Sequence, residues 1–302
     1  MRGQDALQKE MQAVSEQVET ALTAYLAIDD DGAIGDSMRY SLLGGGKRVR
    51  PFLVLSFAEL FAEEGKKEAV KAAALPFACA LEMIHSYSLI HDDLPCMDDD
   101  DLRRGKPSNH KVFGEAGAVL AGDGLLTLAF ETAAQNQHLP PEMVLQGIRI
   151  LAHYAGYLGM VGGQVLDSAN EKNIVPMTAE QLDRINDLKT GALIKAACLL
   201  GALAAMADAS QTAAAECYAE HLGRAFQLTD DLLDVTGSAA ALGKTTGKDE
   251  AHGKITYPAL LGMEACRAKA EAMVNAAADA VRPYPGSETL IALAEYLLLR
   301  TT

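Results

Sequence analysis

The sequence predicts an all-α protein, a single helical bundle around a central cavity. Apolar residues make up 49% of the 302, Trp is absent and aromatics are only 5%; with Ala and Leu dominant, that balance favours helix over sheet. Long apolar runs recur, and no segment alternates convincingly as a strand. No Pro/Ser-rich linker and no fixed-period repeat divides the chain, so residues 1–302 read as one domain.

Each element can be justified in order. Gln4 to Ala27 reads as an amphipathic helix, and Asp29 to Asp36 as a turn. Ser37 to Leu43 is a short helix stopped by Gly44-Gly45-Gly46, and Pro51 to Glu63 restarts with proline near the first turn. Glu68 to His91 is a long apolar helix running into an aspartate-rich segment. Asp98 to Asn109 reads as a polar loop, Gly117 to Gln135 as another apolar helix. Pro141 to Asp167 reads as one helix whose Gly156, Gly159, Gly162 and Gly163 permit close approach of a neighbour. Thr178 caps a helix to Asn186 in the capping pattern Thr-Ala-Glu-Gln. Thr190 to Met206 is a buried helix, and Gln211 to Thr236 carries a second aspartate cluster. Ser238 to Lys254 is a Gly/Lys/Thr loop, and Tyr257 to Ala280 and Ser287 to Arg300 close the chain as helices.

Charge narrows the function. Forty-one acidic against 26 basic residues give a net charge of −15, which opposes non-specific nucleic-acid binding and attachment to anionic membranes. Cys79, Cys96, Cys198, Cys217 and Cys266 lack zinc-type spacing and read as buried free thiols of a reducing compartment. The first twelve residues are charged and have no apolar h-region, so no signal peptide is expected. The most apolar stretch, Ala192 to Ala207, is interrupted by Lys195 and shorter than a membrane span. A soluble, cytoplasmic protein without membrane insertion is the expectation.

Two acidic clusters carry the chemistry. Asp92-Asp93-Leu94-Pro95-Cys96-Met97-Asp98 ends one apolar helix, and Asp230-Asp231-Leu232-Leu233-Asp234 lies on another. Asp230 and Asp234, four apart, share a helix face where bare carboxylates repel. A lone DxxxD also suits a solvated face, but Phe226, Leu228, Leu232 and Leu233 make this helix apolar. Six of the ten residues from Asp92 to Asp101 are Asp, at a helix C-terminus where the dipole disfavours them; Mg²⁺, or Arg103 and Arg104, must offset that charge. Carboxylates gathered in this way suit hard divalent cations with positions open to phosphate oxygens. Gly44-Gly45-Gly46-Lys47-Arg48-Val49-Arg50-Pro51 is a glycine turn with three cations, suited to phosphate but equally readable as a solvated turn; it lacks Walker A spacing. Lys189-Thr190 opens a helix, and Lys244 and Lys248 follow the second cluster. The set suggests two polyphosphate sites, one metal-bridged and one held by cations alone.

Taken together these residues resemble the trans-isoprenyl diphosphate synthases, closest to the bacterial farnesyl diphosphate synthases, with plant-type geranylgeranyl diphosphate synthases next. The decisive stretch is Glu82 to Gly105, with its DDxxxxD pattern from Asp92 to Asp98. Gly45 to Pro51, Lys189-Thr190-Gly191, Phe226 to Asp234 and Gly243-Lys244-Thr245 also match in order, so the likeness spans Tyr40 to Arg300. The resemblance implies a homodimer of the isoprenoid synthase type acting on isoprenyl diphosphates, with three Mg²⁺ ions (Mn²⁺ as an alternative). It implies that Asp92 and Asp98 hold two ions with Asp93 in support. Asp230 holds the third, with Asp231 and Asp234 outside it. Arg103, Lys189 and Lys244 grip the allylic diphosphate, and Lys47, Arg50, His85 and Arg104 hold isopentenyl diphosphate. Thr190, Gln227 and Lys254 fit the remaining positions on the allylic side. On the residues alone, His85 reads equally as a satisfied core histidine, Gln227 as a plain helix residue and Thr190 as a helix start.

The reaction implied is ionisation of an allylic diphosphate, attack by isopentenyl diphosphate and loss of a proton, with released diphosphate as the base. A lid of Gly243 to Lys254 and the tail near Arg300 would exclude water. Tyr87 and Ser88, upstream of Asp92, lie where the growing chain must go; a ring at Tyr87 floors the pocket and predicts a C15 product, farnesyl diphosphate. A C20 geranylgeranyl product is the alternative. A non-catalytic synthase subunit typically loses one aspartate motif, and both are present; a terpene cyclase would pair one such motif with an NSE-type sequence.

Overall fold

Amphipathic and apolar runs become helices wherever a capping residue or a glycine can end them. The computed structural model describes residues 2–27, 33–171, 177–236 and 255–299. The helices are α1 (Arg2–Tyr25), α2 (Ala33–Leu42), α3 (Val49–Phe61), α4 (Lys67–Asp92), α5 (Asn109–Ala134), α6 (Pro141–Ala155), α7 (Met160–Glu171), α8 (Ala179–Asn186), α9 (Ala192–Ala204), α10 (Ala209–Thr236), α11 (Tyr257–Leu261), α12 (Met263–Val281) and α13 (Glu288–Leu299). A π-helical turn, Asp187–Gly191, joins α8 to α9.

The departures from the expected elements have local causes. Helix α2 begins at Ala33, inside the expected turn, with Asp36 favourably placed in its first turn. Gly114, at φ 77°, kinks α5 without ending it, so the helix starts at Asn109. The expected helix Pro141 to Asp167 is two helices, because the chain breaks at Gly156 (ψ −161°). A Cβ at Gly159 or Gly162 would strike the carbonyl oxygens of Tyr154 or Tyr157, so these glycines serve that break. Only Gly163 of the four admits a neighbouring segment. Gly262, at φ 82°, likewise separates α11 from α12. The expected polar loop contains a two-residue antiparallel hairpin, Leu102–Arg103 (β1) against Lys106–Pro107 (β2). Thr178 accepts from Gln181 N–H and the Gln181 side chain accepts from Thr178 N–H, the reciprocal cap its sequence predicts. Thr190 lies in the π-turn rather than opening α9. Of the five free thiols, Cys79, Cys198 and Cys266 are buried, Cys217 is half-buried and Cys96 is exposed, which corrects the expectation for the last two.

Helices α4 and α10 are the central struts. Helix α4 packs on α3, α5 and α9, and α10 packs on α9 and α12. Phe52, Phe57, Phe77, Leu81 and Tyr218 are fully buried in the main core. Glycines set the closest approaches: a Cβ at Gly201 of α9 would stand 2.3 Å from Val54 O of α3. A smaller core of Leu182, Leu228, Leu232, Tyr257 and Cys266 ties α8, α10, α11 and α12 together behind the second aspartate cluster.

Candidate active site

The first wall is the end of α4. Beyond Asp92 the chain coils back on the helix terminus: Asp98 N–H donates to Asp92 O at 2.9 Å, and Asp100 N–H to Asp93 O at 3.2 Å. Carbonyls that a helix end leaves open are thereby satisfied, and the carboxylates of Asp92 and Asp98 are drawn close. Burial raises the Asp92 carboxyl to about 6; Asp98 and Asp93 add to the rise, and Lys189 and Arg103 oppose it. Asp93 is buried and grips Arg103, whose Nε lies 2.9 and 3.2 Å from its two oxygens and whose Nη2 closes the fork. Burial works against the Arg103 charge, but the Asp93 bonds outweigh it and raise its pKa.

The π-turn links this wall to the second. Lys189 reaches Asp167 Oδ2 at 2.5 Å while facing Asp92. Next to it, Thr190 Oγ1 donates to Gln227 Oε1 at 3.4 Å, and Gln227 Nε2 donates to Asp231 Oδ1 at 2.8 Å. Asp231 Oδ2 accepts from Tyr257 N–H at 2.9 Å, so both oxygens of this buried carboxylate bond to the protein. Two glycines allow the π-turn to sit so close: a Cβ at Gly163 would stand 2.3 Å from Lys189 N, and one at Gly223 would stand 3.0 Å from Gly191 Cα. Asp230 and Asp234, half-buried, lie one turn apart on α10. Asp92, Asp98, Asp230 and Asp234 offer only hard oxygen donors, the chemistry of Mg²⁺ rather than of a soft metal.

A cationic wall stands about two turns back along α4 from Asp92. Arg48 adopts a left-handed conformation (φ 48°) before α3, and its buried guanidinium meets Glu82 Oε1 at 2.7 Å and Leu42 O at 2.7 Å. That pair braces Arg50, Arg104 and His85. Burial lowers the Arg50 pKa, Glu82 opposes this and Arg104 adds to it. His85 falls well below 6.5, first by burial and then through Arg50, Arg104, Arg103 and Arg48, so its imidazole is neutral at pH 7. Arg50 Nε is buried with no hydrogen-bond partner, a donor awaiting an acceptor. Gly46 makes room for Arg104: a Cβ there would stand 2.7 Å from that guanidinium. Lys47 lies 5.7 Å over the Tyr296 ring, which draws α13 to the rim. A narrow cleft lined by Tyr40, Ser86, Ile90, Asp93, Arg103 and Arg104 runs beside the hairpin.

The structure therefore gathers Arg50, His85 and Arg104 in one group, with Lys47 following the same glycine turn, and Asp92, Asp98, Asp93, Arg103 and Lys189 in another. Thr190, Gln227 and Asp231 adjoin the second. Tyr87 is buried, edge-on to His91 with centroids 5.7 Å apart, and burial with the Asp92 charge raises its hydroxyl to about 12. Ser88 Oγ donates to His85 O at 2.9 Å. Lys244, Lys248, Lys254, the lid segment Gly243 to Lys254 and Arg300 lie outside the described residues. Sequence reading did not single out Asp167 and Glu82, and it counted Arg48 among three cations for phosphate, whereas its buried guanidinium is taken up by Glu82 and Leu42 O. Glu82 had a visible signal, an acid inside an otherwise apolar helix, and Asp167 had a weaker one, an acid directly after Val165 and Leu166.

A helical bundle sets paired carboxylates and a separate cation group along one helix, oxygen donors for a hard cation beside donors for an anion. The profile of the Polyprenyl synthetase family matches residues 32–283, and the chain belongs to that family. A farnesyl diphosphate synthase of Geobacillus stearothermophilus is 48% identical over 263 residues, covering 86% of each chain. Geranylgeranyl pyrophosphate synthase 11, chloroplastic, of Arabidopsis thaliana is 45% identical over 291 residues, 95% of this chain and 80% of that one. Among solved structures, an FPP/GFPP synthase from Zymomonas mobilis superposes with a TM-score of 0.86 at 37% identity, covering 97% of this chain and 99% of the other. The protein is a prenyltransferase of isoprenoid biosynthesis with an all-α fold.

Proposed function

We propose that this chain makes farnesyl diphosphate (C15) from isopentenyl diphosphate and dimethylallyl or geranyl diphosphate. The observation that carries the C15 assignment is the buried ring of Tyr87, five residues before Asp92 and near enough to feel its charge. A chain growing away from a diphosphate at Asp92 meets that ring. Mg²⁺, when bound, neutralises the diphosphate leaving group. Asp92 at the end of α4 and Asp98 in the turn beyond it would hold the ions from one side, and Asp230 on α10 from the other, with Asp234 beside it. Asp93 and Asp231, whose oxygens bond to Arg103 and to Gln227 and Tyr257, position the groups around the ions. Arg103, Lys189, Thr190 and Gln227 orient the allylic diphosphate, with Lys244 and Lys254 assigned to the same task. Lys47, Arg50, His85 and Arg104 hold isopentenyl diphosphate so that its double bond lies near the forming cation. No side chain here is assigned the final proton; the departing diphosphate takes it.

Three results test this reading. Tyr87→Ala opens the floor, and chromatography of the product alcohols then shows C20 alongside or instead of C15; an unchanged C15 product overturns the floor. Gly163→Ala pushes the Lys189 backbone out of place and lowers kcat/KM about 100-fold in steady-state assays, since a shift on the order of 1 Å at such a site costs that much. Because the metal-free Asp92 carboxyl titrates near 6, Mg²⁺ must displace a proton below that pH. Calorimetry should then show Mg²⁺ affinity steady above pH 7 and weakening by up to about tenfold per pH unit below 6.

A homodimer fits the surface. Helix α5 is apolar enough to span a membrane, yet only 28% of its most apolar window is buried within the chain. Val112, Val119 and Leu120 on α5 and Leu145 on α6 are exposed. A second copy packing there, in a soluble cytoplasmic enzyme, would remove this apolar area from water.

A further inference from the structure

We propose that Asp99, Asp101 and His110 form a second metal site, separate from the diphosphate-binding carboxylates, for a divalent transition-metal ion of the Mn²⁺ or Zn²⁺ type. A ring nitrogen of His110 and one carboxylate oxygen from each aspartate lie within 4.8 Å of one another. The independent observation is His110 itself. Its side chain is buried, 6% exposed, and Nε2 is a buried atom with no hydrogen-bond partner. Such an orphan is unfavourable unless something binds it.

The far side of the ring has the partner that a metal-binding imidazole needs. Ser108 Oγ lies 3.1 Å from His110 Nδ1. In the tautomer with Nδ1–H donating to that hydroxyl, Nε2 carries the ring's free lone pair, the arrangement in which metal-bound histidines are commonly held. Asp99 adopts a left-handed conformation, φ 49°, and Asp101 O accepts from Ser108 N–H at 2.9 Å, so the two sides of the site are already tied. Lys111 Nζ, 2.7 Å from Asp101 Oδ1, is the competitor; the pair is exposed and easily displaced.

The ligand set decides the ion. Asp92, Asp98, Asp230 and Asp234 offer oxygen alone and suit Mg²⁺, whereas an imidazole shifts preference toward later divalent metals. Location decides the purpose. Asp99 and Asp101 precede β1 and His110 follows β2, so a bound ion staples both feet of the hairpin that carries Arg103 and Arg104.

The test uses the full-length, metal-free protein, titrated with Mn²⁺ in excess Mg²⁺ and read by electron paramagnetic resonance. The wild type is expected to retain one Mn²⁺ that Mg²⁺ does not displace, with nitrogen modulation from a coordinated imidazole. Asp99→Asn and His110→Gln should bind that ion about tenfold or more weakly, and Ser108→Ala should weaken it by removing the partner of His110 Nδ1. Asp92→Asn should retain it. Absence of retained Mn²⁺, absence of nitrogen modulation, or an Asp99→Asn affinity equal to wild type overturns the proposal. Asp99 is exposed, so its variant decides the matter even if His110→Gln fails to fold.

Discussion

Asp92→Asn should lower kcat/KM by about 10²–10³-fold while leaving the metal-free protein more stable than wild type. The loss of activity follows from removing a charge proposed to hold Mg²⁺ at the leaving group, an effect of about 3–4 kcal/mol on the barrier. The gain in stability follows from the sign of the Asp92 shift. Its folded pKa, about 6, stands above the ordinary 3.8, so the carboxyl favours folding below the ordinary value and loses that contribution as pH rises through 6. At pH 7 the folded protein carries a desolvated carboxylate whose like-charged neighbours outweigh no more than part of the Lys189 and Arg103 attraction. An uncharged amide of the same size removes that cost, about 3 kcal/mol at most. Urea denaturation in chelator and steady-state kinetics in Mg²⁺ measure the two halves. A variant that loses stability and activity together would mean that Asp92 is a structural carboxylate.

That opposition between stability and activity explains which parts of the site were legible in the sequence. Charges packed onto apolar helices violate the local rules of folding, so Asp92, Asp98, Asp230 and Asp234 stand out against their leucine-rich surroundings. Arg48 and Glu82 were harder to read. Both lie among functional cations, yet they satisfy each other and leave no visible conflict. The helices were legible where capping is local, as at Thr178, whose box forms as its sequence dictates. Boundaries were lost where a glycine bends rather than stops the chain, as at Gly114, or breaks a long apolar run, as at Gly156 and Gly262. The π-turn left no periodic signature. It exists because Gly163 and Gly223 let two segments press against residues 189 and 191, a tertiary fact that no local window contains.

Glu82→Gln and Arg48→Met should both destabilise the protein by about 3–5 kcal/mol, yet shift diphosphate binding in opposite directions. Each removes one partner of a buried pair and strands the other. In Glu82→Gln, Arg48 keeps Leu42 O and the partly exposed Glu19, but Arg50 and Arg104 lose the acid that offsets their mutual repulsion. An anion is then worth more at that wall. Inorganic diphosphate should bind more tightly and should raise the unfolding temperature of Glu82→Gln by more than it raises that of the wild type. In Arg48→Met the stranded Glu82 turns to Arg50 and Arg104 and competes with the ligand, so binding weakens and ligand rescues less. Thermal unfolding with and without diphosphate reads both effects. Equal ligand responses in the two variants would show that the pair braces α3 against α4 and has no part in tuning the cations, because packing alone gives no reason for the two signs to differ.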